Sequence, residues 1–171
     1  MAQALEDISL VAGYRPGLTA DVIAAHMAYY APVWGFGLPF EVKLAREMPE
    51  FLLRYDPARD AIISAFAPDG RFLGSVTLDG EEGDREPAAH LRWFITTDAV
   101  RGRRGLGRRM LDRALAFADD RGYGKVYLTT FAGLDAGRHL YESAGFMLTA
   151  ETARDAWSGT VGEQRFERRR P

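Results

Sequence analysis

The sequence predicts a mixed α/β (α+β) fold, an antiparallel β-meander joined to one βαβ unit. Three observations carry this. Between residues 60 and 96, three runs rich in β-branched and aromatic residues follow one another, separated by turn-forming segments. The pattern then changes to a helical period and back to a strand, which implies a right-handed parallel crossover. The chain has 171 residues, 47% hydrophobic and 12% aromatic, enough to bury a real core in a single domain spanning 1–171.

Taken in order, "EDISLVA" (6–12) reads as a first strand. Thr19 is placed to cap a helix that opens with Asp21 and runs through Val22, Ile23 and Met27. "YYAPVWGFGLPF" (29–40), aromatic and rich in Gly and Pro, reads as a loop with large side chains. Val42, Leu44, Ala45, Met48 and Leu52 make the apolar face of a helix near 41–54. "DAIISAF", the turn "APDG" and "RFLGSVTL" form a hairpin. A polar loop, "DGEEGDREP", leads to the third strand of the meander, "AHLRWFIT". Leu106, Met110, Leu111, Ala114, Leu115, Phe117 and Ala118 define an amphipathic helix that Gly122 ends. "KVYLTTF" is the next strand. "DAGRHLYESAG" is a short helix capped by Asp135 and stopped by Gly145. "FMLTAE" and "GEQRFER" supply two closing strands.

Composition excludes several classes. With no cysteine there is neither a disulfide framework nor a thiolate metal site, which fits a reducing, cytoplasmic setting, and no metal is expected. The N-terminal residues lack the basic start and long apolar run of a signal peptide. No stretch reaches the roughly 18 apolar residues of a membrane span. Net charge is −2, from 22 basic and 24 acidic residues. Five arginines, Arg101, Arg103, Arg104, Arg108 and Arg109, crowd into "VRGRRGLGRRM" (100–110); the other 17 basic residues face 24 acidic ones, a balance of −7. One basic spot on an acidic body fits a compact anionic ligand and argues against nucleic acid as a partner.

That spot lies between a strand and the helix it feeds. The first N–H groups of a helix lack internal partners, and the helix dipole places partial positive charge there. Gly105 and Gly107 let ligand oxygens approach bare backbone, and arginines add bidentate donors for phosphate. An exposed basic turn is the plainer reading of the same residues. The segment is not a Walker loop, because no Gly-Lys-Ser/Thr follows, and its spacing is not that of a Rossmann fingerprint.

"GRRGLGRRML" after a strand, followed about thirty residues later by "LYESAGF", resembles the GCN5-related N-acetyltransferases (the GNAT family). The similarity is closest to the acetyltransferase half of bacterial MarR–GNAT fusion proteins, carried by "WGFGLPFE", "LRWFI", "GLDAGRHLYESAGF" and "GEQRFE". It covers residues 10–169, and the repressor half finds no counterpart. The resemblance implies acetyl-coenzyme A as cofactor, its pyrophosphate held by Arg103, Arg104, Gly105, Leu106, Gly107 and Arg108, its pantetheine beside Phe94, Ile95 and Thr96. It further implies that a backbone N–H near Ile95 or Thr96 holds the carbonyl oxygen and that Tyr141 stands near the leaving sulfur. Two positions depart from the family pattern. Gly102 stands where Gln or Arg is usual, with Arg101 one residue early, and Leu134 stands seven residues before the tyrosine where many members have Asn.

The implied reaction is direct acetyl transfer to an amine, either a small molecule or a lysine. A phenol with pKa near 10 stays protonated at neutral pH, so Tyr141 can give a proton to the departing thiolate; a packed face of Leu140, Tyr141 and Ala144 is the plainer alternative. For the base that deprotonates the amine, His90, Glu41, Glu151 and Glu163 are candidates, with an ordinary strand-edge histidine preferred for His90. Trp34, Phe36 and Phe40 suit the apolar wall of an acceptor pocket, with Glu41 near them and Trp157, Glu163 and Gln164 on the far side. Arg92 either holds a substrate carboxylate or pairs with an internal acid, the latter preferred. Two other functions fit less well: a non-catalytic acyl-coenzyme A sensor, which Tyr141 argues against, and a nucleic-acid binder. Family members often pair, so a homodimer is also an expectation.

Overall fold

The computed structural model describes residues 8–81, 87–103, 105–155 and 158–170. Its elements are β1 (Ser9–Ala12), α1 (Leu18–Trp34), α2 (Leu38–Leu53), β2 (Ala61–Phe66), β3 (Phe72–Glu81), β4 (Ala88–Thr96), α3 (Leu106–Asp120), β5 (Lys125–Phe131), α4 (Asp135–Ser143), β6 (Met147–Thr152) and β7 (Glu163–Arg169). The seven strands form one sheet in the order β1-β2-β3-β4-β5-β7-β6. β1 to β4 are the antiparallel meander, β4 and β5 run parallel across the α3 crossover, and β7 inserts antiparallel between β5 and β6.

Both faces of the sheet are covered. On one, Leu106, Met110, Leu111, Ala114 and Ala118 of α3 pack on Ile63, Val76, Leu91, Val126 and Leu128. On the other, Leu18 and Val22 of α1 and Phe40, Leu44, Met48 and Phe51 of α2 pack on Ile62 and Trp93. This explains why β2 is buried at every position and reads as an apolar run broken only by Ser64, whose hydroxyl pairs with that of Ser75.

The helical region before β2 departs from expectation. Thr19 is not the cap of α1: the cap position falls two residues earlier, on Gly17 in the left-handed region (φ 91°), and the helix opens at Leu18 with no side-chain cap. Likewise Asp135 is the first residue of α4, and the cap position belongs to Leu134. Most of the expected aromatic loop is helix. α1 continues through Pro32 to Trp34, and Pro39 sits in the first turn of α2, where its missing N–H costs nothing. Only Gly35, Phe36 and Gly37 break the two helices. Gly35 adopts φ 66°, the left-handed conformation that closes many helices, and the Phe36 N–H bonds back to the Tyr30 carbonyl. Burial of the aromatics offsets the proline: Phe36 stacks on Tyr30 at 5.6 Å and meets Phe131 edge-on at 4.9 Å.

Two irregularities in β4 position the site. Pairing with β5 runs only through Ala88–Lys125, Ala89–Val126 and His90–Tyr127. Beyond His90 the strands separate, β4 staying on β3 and β5 on β7, so a cleft opens between residues 91–96 and 128–131. Within that stretch β4 carries a bulge. Ser75 pairs with Ile95 and Thr77 with Arg92, so Trp93 and Phe94 together oppose Val76. Trp93 takes φ 48° to make the turn, the one non-glycine residue with positive φ among the described residues.

Candidate active site

The cleft holds two adjoining spaces. The first is a groove of about 350 Å³ between the bulged strand and the start of α3, reaching Leu134, Gly137 and Leu140 of the α4 region. The second is a cavity of about 200 Å³ between the splayed strands and the two helices α1 and α2. Tyr30, Phe94, Thr130 and Tyr141 line both, and so form the seam.

The groove contains what a diphosphate-bearing ligand requires. Phe94, Ile95, Thr96, Arg103, Gly105, Leu106, Gly107 and Arg108 all line it. No side chain caps α3; Gly105 precedes it at φ 61°, and a Cβ there would meet nothing within 4 Å. The Gly107 N–H has no acceptor among the described residues. The arginines divide their work. The Arg108 guanidinium is engaged by Asp112 (2.7 Å), one turn further along the helix, and by Ser143. Arg101 stacks on Tyr29 (3.6 Å to the ring centre), is paired with Asp98 and bonds the Thr96 carbonyl. Arg103 is exposed and has no partner among the described residues, which makes it the free cation there. Arg104 lies outside the described residues. Leu134, where an Asn is usual, puts an apolar side chain on the groove wall.

Tyr141 sits on α4, its ring packed among Phe94, Phe146 and Phe166. Burial holds its phenol well above the ordinary pKa, and nothing among the described residues hydrogen-bonds its hydroxyl. Sequence reasoning missed Tyr30. It projects from α1 to the same seam, fixed by Phe36, Phe40 and Phe131, and its pKa is likewise raised by burial and then by the neighbouring Tyr141. The signal for it was helical continuation past residue 29, which the aromatic, Pro-rich composition concealed.

The cavity has aromatic rings in its walls and a set of charges of which all but one are paired. Arg92 pairs with Glu47 (2.7 Å) and with Asp79 (3.1 Å). Asp79, almost wholly buried, also takes a bidentate bond from Arg54 (2.7 and 2.6 Å). Burial would raise the Asp79 pKa, but the two guanidiniums outweigh it and the net shift is downward. Glu47 also accepts from Lys43. Arg92 is therefore held by internal acids. Glu163, at the start of β7, lines the cavity with no partner among the described residues.

His90 also lines the cavity, stacked on Tyr127 at 4.4 Å. Burial, reinforced by Arg92, lowers its pKa to about 3, too weak a base to strip an ammonium. His26 donates its Nδ1–H to the Val22 carbonyl, and burial lowers its pKa to about 4. Of the other sequence candidates, Phe36 is buried behind the cavity wall. Trp34 packs against Gly133, whose lack of a Cβ permits the contact. Glu41 is exposed on α2, and Glu151 is bonded by Gln164 on the far strands. None of these four lines the cavity; Phe40 does. Trp157 lies outside the described residues. Among the described residues no cluster of His, Cys, Asp or Glu is suited to a metal ion, and no helix is long and apolar enough to cross a membrane.

This split-strand architecture defines an acetyltransferase. The chain belongs to the acetyltransferase (GNAT) family, whose signature it matches over residues 22–146. No curated protein matches it. Solved structures share the fold at low identity. A GNAT-family acetyltransferase from Staphylococcus aureus Mu50 has a TM-score of 0.73 at 13% identity, covering 95% of this chain and 98% of that one. A GCN5-related N-acetyltransferase from Kribbella flavida has 0.75 at 17%, covering 96% and 99%. A chain of the NatC complex bound to Gag peptide and CoA has 0.76 at 13%, also covering 96% and 99%.

Proposed function

We propose that the protein transfers the acetyl group of acetyl-coenzyme A to a primary amine by direct attack, with both reactants bound at once. The observation that carries this is the seam: Tyr141 borders both the groove suited to the cofactor and the cavity suited to an acceptor. When bound, acetyl-coenzyme A supplies an acyl group activated on sulfur. The amides at the start of α3, with Arg103, hold its diphosphate. The stretch Phe94–Thr96, unpaired by β5, offers main-chain groups along its other half and an N–H for the charge that develops on the carbonyl oxygen.

Tyr141 gives a proton to the departing sulfur, and its raised pKa keeps that proton in place at every working pH. The acceptor arrives as an ammonium and loses one proton to solvent. The C–N bond forms as the C–S bond breaks, and nitrogen sheds a second proton that restores Tyr141. Net, one amide, one thiol and one free proton result. An acyl-coenzyme A sensor would need the groove alone and leaves the cavity unexplained.

The test is thiol release from acetyl-coenzyme A across an amine panel, with mass spectrometry of the product. Acetyl-coenzyme A should also raise the melting temperature at saturation. Turnover with no amine, or an unchanged melting temperature, would refute the reading.

A further inference from the structure

The acceptor's chemistry follows from the balance of charge in the cavity, given the reading that it is the acceptor site. Of its four charged side chains, three are already committed. Lys43 and Arg92 share the Glu47 carboxylate at 2.7 Å each, and Arg92 also contacts Asp79. A substrate carboxylate would have to compete with these acids for both cations. The fourth, Glu163, has no partner among the described residues. The two histidines add no charge near neutral pH, both being lowered by burial. The cavity thus presents one unsatisfied negative charge.

Register places that charge near the reacting centre. On β5, Thr130 belongs to the seam and pairs with Gln164; its neighbour Phe131 pairs with Glu163. The remaining wall carries six aromatic rings, Tyr30, Phe40, Trp93, Phe94, Phe131 and Tyr141, with leucines, threonines and the two histidines between them. Such faces accept a flat ring and favour a nearby ammonium. The volume of about 200 Å³ is small for a ligand site. It suits one ring on a short chain.

We infer that the acceptor is an arylalkyl primary monoamine, its ammonium held by the Glu163 carboxylate and its ring laid against the wall that Tyr30, Phe40 and Phe131 form together. Among the described residues of the cavity, a second ammonium would find no second free acid and an α-carboxylate no free cation.

The experiment compares acceptors at saturating acetyl-coenzyme A by thiol release: 2-phenylethylamine, tryptamine, butylamine, phenylalanine, spermidine and a lysine peptide. The arylalkylamines should exceed butylamine and phenylalanine at least tenfold in kcat/KM. Glu163→Gln should raise KM for 2-phenylethylamine at least tenfold, with Glu163→Asp recovering part of the loss. The dissociation constant of coenzyme A, measured by calorimetry, should stay within twofold in both variants, which also shows that they fold. A second readout is the melting temperature of the coenzyme A complex, which 2-phenylethylamine should raise in the wild type and not in Glu163→Gln. Preference for phenylalanine, spermidine or the peptide would overturn the assignment while leaving acetyl transfer intact. An unchanged KM in Glu163→Gln would do the same. Absence of turnover with every amine would instead defeat the proposed function itself.

Discussion

Tyr30 of α1 and Tyr141 of α4 meet at the seam between groove and cavity, and neither hydroxyl is hydrogen-bonded by a described residue. Two phenols held protonated by burial thus border both spaces, where the proposed mechanism has sulfur leave and nitrogen arrive. Only one need serve the sulfur. Tyr141, packed on Phe94 of the groove wall, is the better placed. Tyr141→Phe is expected to lower kcat about 100-fold, the low end of proton-transfer contributions, with coenzyme A affinity unchanged. Tyr30→Phe should cost less, about tenfold. Steady-state kinetics paired with calorimetry separates the two; a larger loss in Tyr30→Phe would exchange the roles.

The pH–rate profile follows from the same phenols. A falling alkaline limb appears when the proton donor ionises. Burial raises the pKa of Tyr141 above its ordinary value, so that limb moves up in pH and out of the working range. The rising limb belongs to the amine, which must lose a proton, because His90 at about 3 cannot take it. kcat/KM should therefore climb steadily from pH 7 to 9 and show no decline by about pH 10, the ordinary phenol value. A bell centred near pH 8 would assign the proton to another group.

The strands were legible because their period and their bounding turns agree; "KVYLTTF" is read to its two end residues as Lys125–Phe131. The start of α3 was legible for a related reason: glycines between a strand and an amphipathic run mark a turn, and Gly105 takes φ 61° just before the helix opens at Leu106. What failed was residues 29–40. Pro32, Gly35, Gly37 and Pro39 are each a breaker locally, yet Pro39 falls in a first turn, Gly35 in a closing position, and burial against Phe131 compensates Pro32. The bulge was invisible because it puts Trp93, a poor candidate for positive φ, in the left-handed region. The Arg92 network was half legible: burial demanded a partner, but Asp79 and Glu47 come to it only through the β3–β4 register and the docking of α2.

Stability should fall on mild acidification. His26 and His90 have folded pKa values of about 4 and about 3, below the 6.5 of an unfolded histidine. Between pH 6.5 and those values the unfolded chain binds protons that the folded one refuses. Their contribution is complete above pH 6.5 and is lost as pH falls through that window. Asp79, also depressed, extends the loss below about pH 4, where an unfolded carboxylate begins to protonate. The melting temperature should be clearly lower at pH 5 than at pH 7, and His26→Gln should flatten the slope by about one proton's worth.

Gly107 separates folding from binding. It lies inside the first turn of α3, and a Cβ there would rest 3.6 Å from Leu140 and Phe94, ordinary contact distances. Gly107→Ala should therefore raise the melting temperature of the free protein, the helix gaining up to about 1 kcal/mol. The further methyls of Gly107→Val would crowd the groove beside the amides proposed to hold the diphosphate and should weaken coenzyme A at least tenfold. Calorimetry on both variants decides: equal affinity in Gly107→Val would place the diphosphate elsewhere.

The Arg92 network distinguishes structure from substrate. Asp79 is almost fully buried between two guanidiniums, so Asp79→Asn leaves two cations with half their partners and should cost about 3 kcal/mol. Arg92→Met should cost less, because Asp79 keeps its bidentate Arg54 and Glu47 keeps Lys43. Were Arg92 instead the anchor for a substrate carboxylate, Arg92→Met would leave the denaturation midpoint in place and raise KM for carboxylate-bearing acceptors alone. The internal pair predicts the reverse: a shifted midpoint, and an acceptor ranking that keeps its order.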